Sequence, residues 1–127
     1  MKFESAEMAG GRVARTGTGP FDALLVSRLD VDVLVLDIPP IPDRDLEGLI
    51  RYKLRSRYPG NPRQTSFDYR VVHRGKLRRA IVFVARTSTV DAYRAAAGRR
   101  PLAAPYQLVA PLVPRRGLFR AWVGDGR

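Results

Sequence analysis

One histidine, three aspartates around an apolar run and a Gly-Thr-Gly-Pro turn are the residues of this 127-residue chain whose types could do chemistry. His73 has the side chain of a general base. It stands beside the turn Arg74-Gly75-Lys76 with no serine placed to use it, and the chain has no cysteine. A solvent-facing or packing role fits it better than catalysis. Asp30, Asp32 and Asp37 suggest a paired-carboxylate or magnesium site. On an extended strand, however, side chains alternate with period two, so Asp32 and Asp37 face opposite ways and cannot converge. Gly17-Thr18-Gly19-Pro20 has half the outline of a phosphate loop but lacks the Gly-Lys-Ser/Thr ending. Without cysteine there is no disulfide, no thiolate metal site and no thiol nucleophile, and one histidine cannot build a histidine-rich metal site. The sequence therefore assigns no catalytic residue, no cofactor and no metal.

Charge offers a different kind of chemistry. The net charge is +11, with 23 Lys+Arg against 12 Asp+Glu. Residues 1–50 carry −4 and residues 51–127 carry +15. Such asymmetry predicts a basic face for an acidic protein, anionic lipid or nucleic acid. The strong preference for Arg over Lys also reflects composition rather than function. Aromatics on two adjacent strands, Phe67, Tyr69 and Phe83, have the look of an RNA-stacking platform. The basic-Gly-aromatic pattern of such modules is missing from Arg78-Arg79-Ala80-Ile81-Val82-Phe83, so core packing is their expected use.

The elements that must position these residues follow from periodicity. Residues 1–20 are Gly-rich and weakly patterned, with a short strand at Gly11–Arg15 and a turn at 17–20. Phe21–Arg28 and Val31–Ile38 read as extended runs with a hairpin-like reversal between them. Val31–Ile38 is more apolar than strict alternation, which predicts a central strand covered on both faces. Three prolines, Pro39, Pro40 and Pro42, end it by removing backbone donors. A helix follows to about Arg57, with Asp43 and Asp45 in its first turn and Leu46, Leu49, Ile50 and Leu54 on one face. Its basic end, Arg51, Lys53, Arg55 and Arg57, suits the helix dipole.

Ser66–His73 alternates, Arg74-Gly75-Lys76 turns, and Leu77–Arg86 returns as its hairpin partner. Ser88 and Asp91 fit a capping box for a helix that buries Val90, Tyr93, Ala96 and Ala97 and ends at Gly98. A short strand at Leu102–Ala104, a helical turn at Pro105–Ala110 and a strand at Leu118–Val123 complete the reading. Gly124-Asp125-Gly126-Arg127 is a hairpin signal with no returning strand, which leads us to expect a piece of a longer protein. Residues 1–20 carry no secretory signal. The longest apolar stretches, Ala23–Val26 and Val33–Leu36, are too short to cross a bilayer, and a soluble chain is expected.

From Val31 to about Ala104 the order is strand–helix–strand–strand–helix–strand. The expected fold is α+β, a split β-α-β (ferredoxin-like, β-α-β-β-α-β) module with two helices on one face of a four-stranded sheet. The expected organisation is 1–24 as an N-terminal Gly-rich segment and strand, 25–110 as the split β-α-β module, and 111–127 as the start of a following, truncated domain.

A family resemblance rests on Leu36-Asp37-Ile38-Pro39-Pro40-Ile41-Pro42-Asp43-Arg44-Asp45-Leu46, Ile50-Arg51-Tyr52-Lys53-Leu54, Tyr58-Pro59, Phe67-Asp68-Tyr69, the strand Ala80–Ala85 and the helix from Ser88. In this order they resemble the PilM and GspL family of actin-like assembly proteins of type IV pilus and type II secretion machines. The region of about 25–110 is similar to the small inserted subdomain that FtsA-like proteins also carry. The resemblance implies a non-enzymatic cytoplasmic scaffold, peripheral at the inner membrane through a partner, with extra strands from a truncated actin-like core. The family's nucleotide-binding loops have no counterpart here, so the resemblance carries over no catalytic residue.

Two functions stay open at this point. One is an assembly module that binds a protein of a secretion or pilus inner-membrane platform, or another copy of itself. Its candidate surface is the hairpin edge at Arg74, Lys76, Arg78 and Arg79 with the basic helix residues Arg51 and Arg55. The alternative is a nucleic-acid-binding module that places the same cations on phosphates.

Overall fold

The computed structural model describes residues 2–103 and 121–122. Two glycines open the architecture. Gly10 and Gly11 have φ of 59° and 79°, the left-handed pair that a two-residue hairpin turn requires. They join β1 (Phe3–Ala9) to β2 (Arg12–Arg15), with Ala9 opposite Arg12. The remaining elements are β3 (Ala23–Leu25), β4 (Asp32–Asp37), α1 (Asp43–Arg57), a 3-10 turn at Pro62–Gln64, β5 (Thr65–Arg74), β6 (Leu77–Arg86), α2 (Thr87–Ala97), β7 (Leu102–Ala103) and β8 (Ala121–Trp122). The strands form two sheets, β2-β1-β3-β7 and β4-β6-β5-β8.

The α+β class expected from the element order is the one observed, and its first half follows the split β-α-β plan. β4, α1, β5 and β6 are laid out with β6 between β4 and β5, antiparallel to both. The last strand departs from the plan. β7 pairs in parallel with β3, and β3 with β1, so the chain closes a second sheet instead of returning beside β4. The hairpin-like reversal expected between Phe21–Arg28 and Val31–Ile38 is absent for the same reason: β3 and β4 belong to different sheets.

Strand β6 explains why the two helices do not share a face. Every residue from Ala80 to Ala85 is buried, so both faces of this strand need cover. Ala80, Val82 and Val84 pack with Phe67 against Leu46, Ile50 and Leu54 of α1. Ile81, Phe83 and Ala85 face the other way, toward Val90, Tyr93 and Ala97 of α2, Leu24 and Leu102 of the second sheet, and Phe21 just before β3. Each large side chain fully withdrawn from water in these cores contributes roughly 1.5–3 kcal/mol. The helices are thus divided between opposite sides of β6, where the sequence led us to expect both on one side.

Local signals mark the helix ends. α1 starts at Asp43 behind the extended Pro42 and has Asp43 and Asp45 in its first turn and Arg55 and Arg57 in its last, as the dipole favours. α2 starts one residue before the expected Ser88, its N-cap is Arg86, and no side chain caps it. The Ser88–Asp91 capping box is therefore not formed, because Ser88 already lies inside the first turn. The helix stops at Gly98, whose φ of 65° suits glycine at a C-terminal cap. Ala121–Trp122 realises the described part of the strand expected at Leu118–Val123, pairing with β5 through Ser66 and Phe67. The turn expected at Pro105–Ala110 and the terminal Gly124–Arg127 signal lie outside the described residues.

Candidate functional site

The six cations singled out by sequence are distributed along the α1–hairpin layer rather than gathered into a patch. Arg78 and Arg79 begin the inner half of β6. The Arg78 guanidinium lies 2.6 Å from the Asp43 carboxylate and donates to the Ile41 carbonyl at 3.0 Å. Arg79 donates to Asp37 at 3.1 Å. Arg51 faces Glu47 one helical turn away at 3.4 Å and lies over the Phe67 ring, 5.6 Å from its centroid. Arg51, Arg78 and Arg79 are therefore held by carboxylates from the acidic first half of the sequence. Lys76 is exposed in the hairpin turn, Arg55 is exposed on α1, and the backbone of Arg74 ends β5. Arg55 is twelve residues beyond Asp43, a rise of roughly 18 Å along the helix, so it sits far from the turn that carries Lys76.

The carboxylates and hydroxyls show what chemistry the fold allows. Asp32 accepts from the Tyr58 hydroxyl at 2.8 Å on the α1 side of β4, while Asp37 meets Arg79 on the other side. The expected divergence of these two acids is what the structure has. Asp30 accepts from the Met8 amide at 3.0 Å and the Tyr93 hydroxyl at 2.6 Å. Burial first, and then that bond to Asp30, pushes the Tyr93 phenol well above its ordinary range. Tyr58 is shifted the same way, by burial and by its bond to Asp32. Both tyrosines went unremarked as polar residues in the sequence; Tyr93 sits at an apolar helix position, and nothing local announces its hydroxyl partner 63 residues away.

A groove of about 1160 Å³ opens between these acids and the start of α2, lined by Asp30, Asp32, Arg57, Arg86, Thr87 and Asp91 among others. Two hydroxyls that line it, those of Tyr58 and Thr87, are engaged in holding the chain together. Thr87 donates to the Arg63 carbonyl at 2.7 Å, so the Ser66 hydroxyl, 3.0 Å from Thr87 Oγ1, is the donor of that pair. His73 is exposed at the far, hairpin end of β5 and is paired in register with Arg78. Among the described residues no group of three or more His, Cys, Asp or Glu could hold a metal ion. The Gly17 turn is likewise structural. The Gly17 amide donates to the buried Glu4 carboxylate at 2.6 Å, occupying the amide that a phosphate would need. Phe67 and Phe83 are buried and cannot stack on bases.

Strand β4 is left partly open by the described residues. The sequence reading made it a central strand covered on both faces; it is an edge strand, paired with β6 alone among the described residues. Val33 and Val35 are 44 % and 60 % exposed. The physical reason is that the core under α2 stops at Ile81 and Phe83 of β6, one strand short of these valines. The Ile38 amide bonds to the Arg78 carbonyl at 3.0 Å. By the alternation of an antiparallel ladder, Leu34 and Leu36 then turn their backbone groups toward β6, while Val33, Val35 and Asp37 turn theirs outward. The edge thus offers three N–H and three C=O groups beside an apolar side-chain row. Its middle, Val33–Leu36, carries neither a charge nor a proline, two devices by which sheet proteins ordinarily blunt an edge, and Asp32 and Asp37 stand only at its ends. By contrast β2, one edge of the other sheet, is four residues long and carries Arg12 and Arg15.

No family model matches the chain and no curated protein matches it. Among solved structures it is similar to a chain of a "PilM-PilN type IV pilus biogenesis complex", at 15% identity and a TM-score of 0.44. The match covers 71% of this chain and 38% of that chain, so this chain spans well under half the length of its structural neighbour.

Proposed function

We propose that this chain is a non-enzymatic assembly module that works through protein–protein contacts. The observation that carries the reading is the edge of β4, open among the described residues, with outward backbone groups and an uncharged middle that exposes Val33 and Val35. Such an edge recruits an extended partner by strand addition, main-chain bonds supplying affinity and alternate side chains supplying selection. The resemblance in sequence to PilM and GspL proteins suggests where it acts: on the cytoplasmic side of the inner-membrane platform of a pilus or secretion machine. No helix among the described residues is long and apolar enough to cross a membrane, so attachment there would run through a partner.

The nucleic-acid alternative uses Arg51, Arg55, Arg74, Lys76, Arg78 and Arg79, and of these Arg51, Arg78 and Arg79 already face a carboxylate. Anisotropy of labelled single-stranded and duplex nucleic acid tests it directly. We expect no binding at near-physiological salt, and weak, steeply salt-dependent binding below it. Micromolar or tighter binding that survives near-physiological salt overturns the assembly reading. Its positive test is co-purification with the platform proteins of its own source, lost in Val35→Pro.

A further inference from the structure

The geometry points to a second copy of this chain as the occupant of the β4 edge, the two β4 strands pairing antiparallel about a twofold axis at Val35. The inference rests on the docking role assigned above to that edge and names its partner.

The register follows from backbone and parity. A twofold axis perpendicular to the sheet keeps the α1 face of both copies on the same side, so facing residues must lie on the same face. Only the outward groups of Val33, Val35 and Asp37 are available for bonding. Centring the axis on Val35 pairs Val35 with Val35 and Val33 with Asp37 of the second copy, using all six outward groups within β4. Sliding by one pair in one direction brings Pro39, which has no N–H, opposite Val33. Sliding in the other leaves Asp37 opposite Val31, outside the strand.

Charge agrees with this register. On the α1 face Asp32 falls opposite Ile38 of the second copy. Lys53 of α1 lines a depression with Leu36, Asp37 and Ile38, so each Asp32 meets the other copy's Lys53, and the two contacts repeat by symmetry. Asp32 and Lys53 are both exposed in the single chain. Neither aspartate of β4 faces its like, and Leu34 pairs with Leu36. On the opposite face Val33 and Val35 of both copies form one apolar row.

Two cysteine variants test the register, since the chain has no cysteine of its own. In Val35→Cys the two thiols sit on facing residues, with Cα atoms roughly 5.5 Å apart, within disulfide reach. In Val33→Cys they are offset by four residues, roughly 13 Å. Under mild oxidation Val35→Cys should cross-link at least tenfold faster. Sedimentation over a concentration series should show a dimer for the unaltered chain. Val35→Pro should be a folded monomer by circular dichroism, because the amide it removes points away from β6, the strand that pairs with β4 among the described residues. Lys53→Glu should weaken the dimer about tenfold, and adding Asp32→Lys should restore it. A chain that stays monomeric at all concentrations, or equal cross-linking of the two cysteine variants, overturns the proposal. If the chain is monomeric yet Val35→Pro still loses its platform partner, the edge docks a different protein and only the self-pairing fails. If Val35→Pro changes neither assembly nor capture, both readings fall.

Discussion

Tyr93 joins parts of the chain that lie far apart in sequence. Its hydroxyl lies 2.6 Å from Asp30 and accepts from the Ser27 amide at 3.2 Å, tying α2 to the connection that leads into β4. Tyr93→Phe removes the donor from Asp30 and strands the Ser27 amide, and should cost about 1–3 kcal/mol in denaturant unfolding near neutral pH. The phenol's folded pKa is raised above its ordinary value of 10.0. Its stabilisation is therefore complete below that value and is lost as pH rises beyond it toward the folded pKa. Comparing unfolding at about pH 9 and about pH 11, the parent should lose more stability than Tyr93→Phe. Gly17 makes a second case. A Cβ there would stand 2.7 Å from Glu4 Oε1, so Gly17→Ala should push the carboxylate off the Gly17 amide and cost about 1–3 kcal/mol, read as a lower thermal midpoint.

At the scale of elements, the alternation of β4 makes adjacent residues respond differently to proline. Leu34 spends its amide on β6, and Leu34→Pro should break the ladder and sharply lower the thermal midpoint. Val35→Pro, one residue on, should leave the midpoint nearly unchanged at concentrations where the unaltered chain is monomeric. A large loss in Val35→Pro would mean that its amide bonds inward and that the edge is not open. On α1, Ile50 is buried between β6 and Phe67, and Ile50→Ala should cost about 2–5 kcal/mol by equilibrium unfolding. The helix itself was legible in the sequence, because Leu46, Ile50 and Leu54 recur at its period and Pro42 and Pro59 bracket it. The capping box of α2 was not: Thr87 starts the helix early because its hydroxyl is drawn to the Arg63 carbonyl, a partner 24 residues away.

For the whole molecule, β6 is the shared wall of both cores. Phe83 is buried toward α2 and Val82 toward α1. Phe83→Ala, about 3–5 kcal/mol, and Val82→Ala should therefore both shift one common transition, with hydrogen exchange of α1 and α2 amides rising together. Two separate transitions would show that the two layers unfold independently. Charge also rearranges at this scale. The acidic first half and basic second half of the sequence meet in space, as Asp37 with Arg79 and Asp43 with Arg78. The expected bare basic edge is thereby partly neutralised, and among the described residues the apolar strand beside it is left as an open edge.

What the sequence determined by itself is what depends on neighbours within a few residues. The span of α1, the β5–β6 hairpin around Gly75 and the stop of α2 at Gly98 follow from period, turn chemistry and glycine's freedom at positive φ. The carboxylates of β4 diverge because the pleat makes them do so. Only the tertiary structure decided which strands pair. Strand β1 was illegible because its buried positions are Glu4 and Ala6, and β7 joined β3 rather than β4. The run Val33–Leu36 is equally apolar in a covered central strand and in an edge left open for a partner. Pairing is a contact between residues far apart in the chain, with no local period to record it, so sequence could show that β4 is apolar but not what covers it.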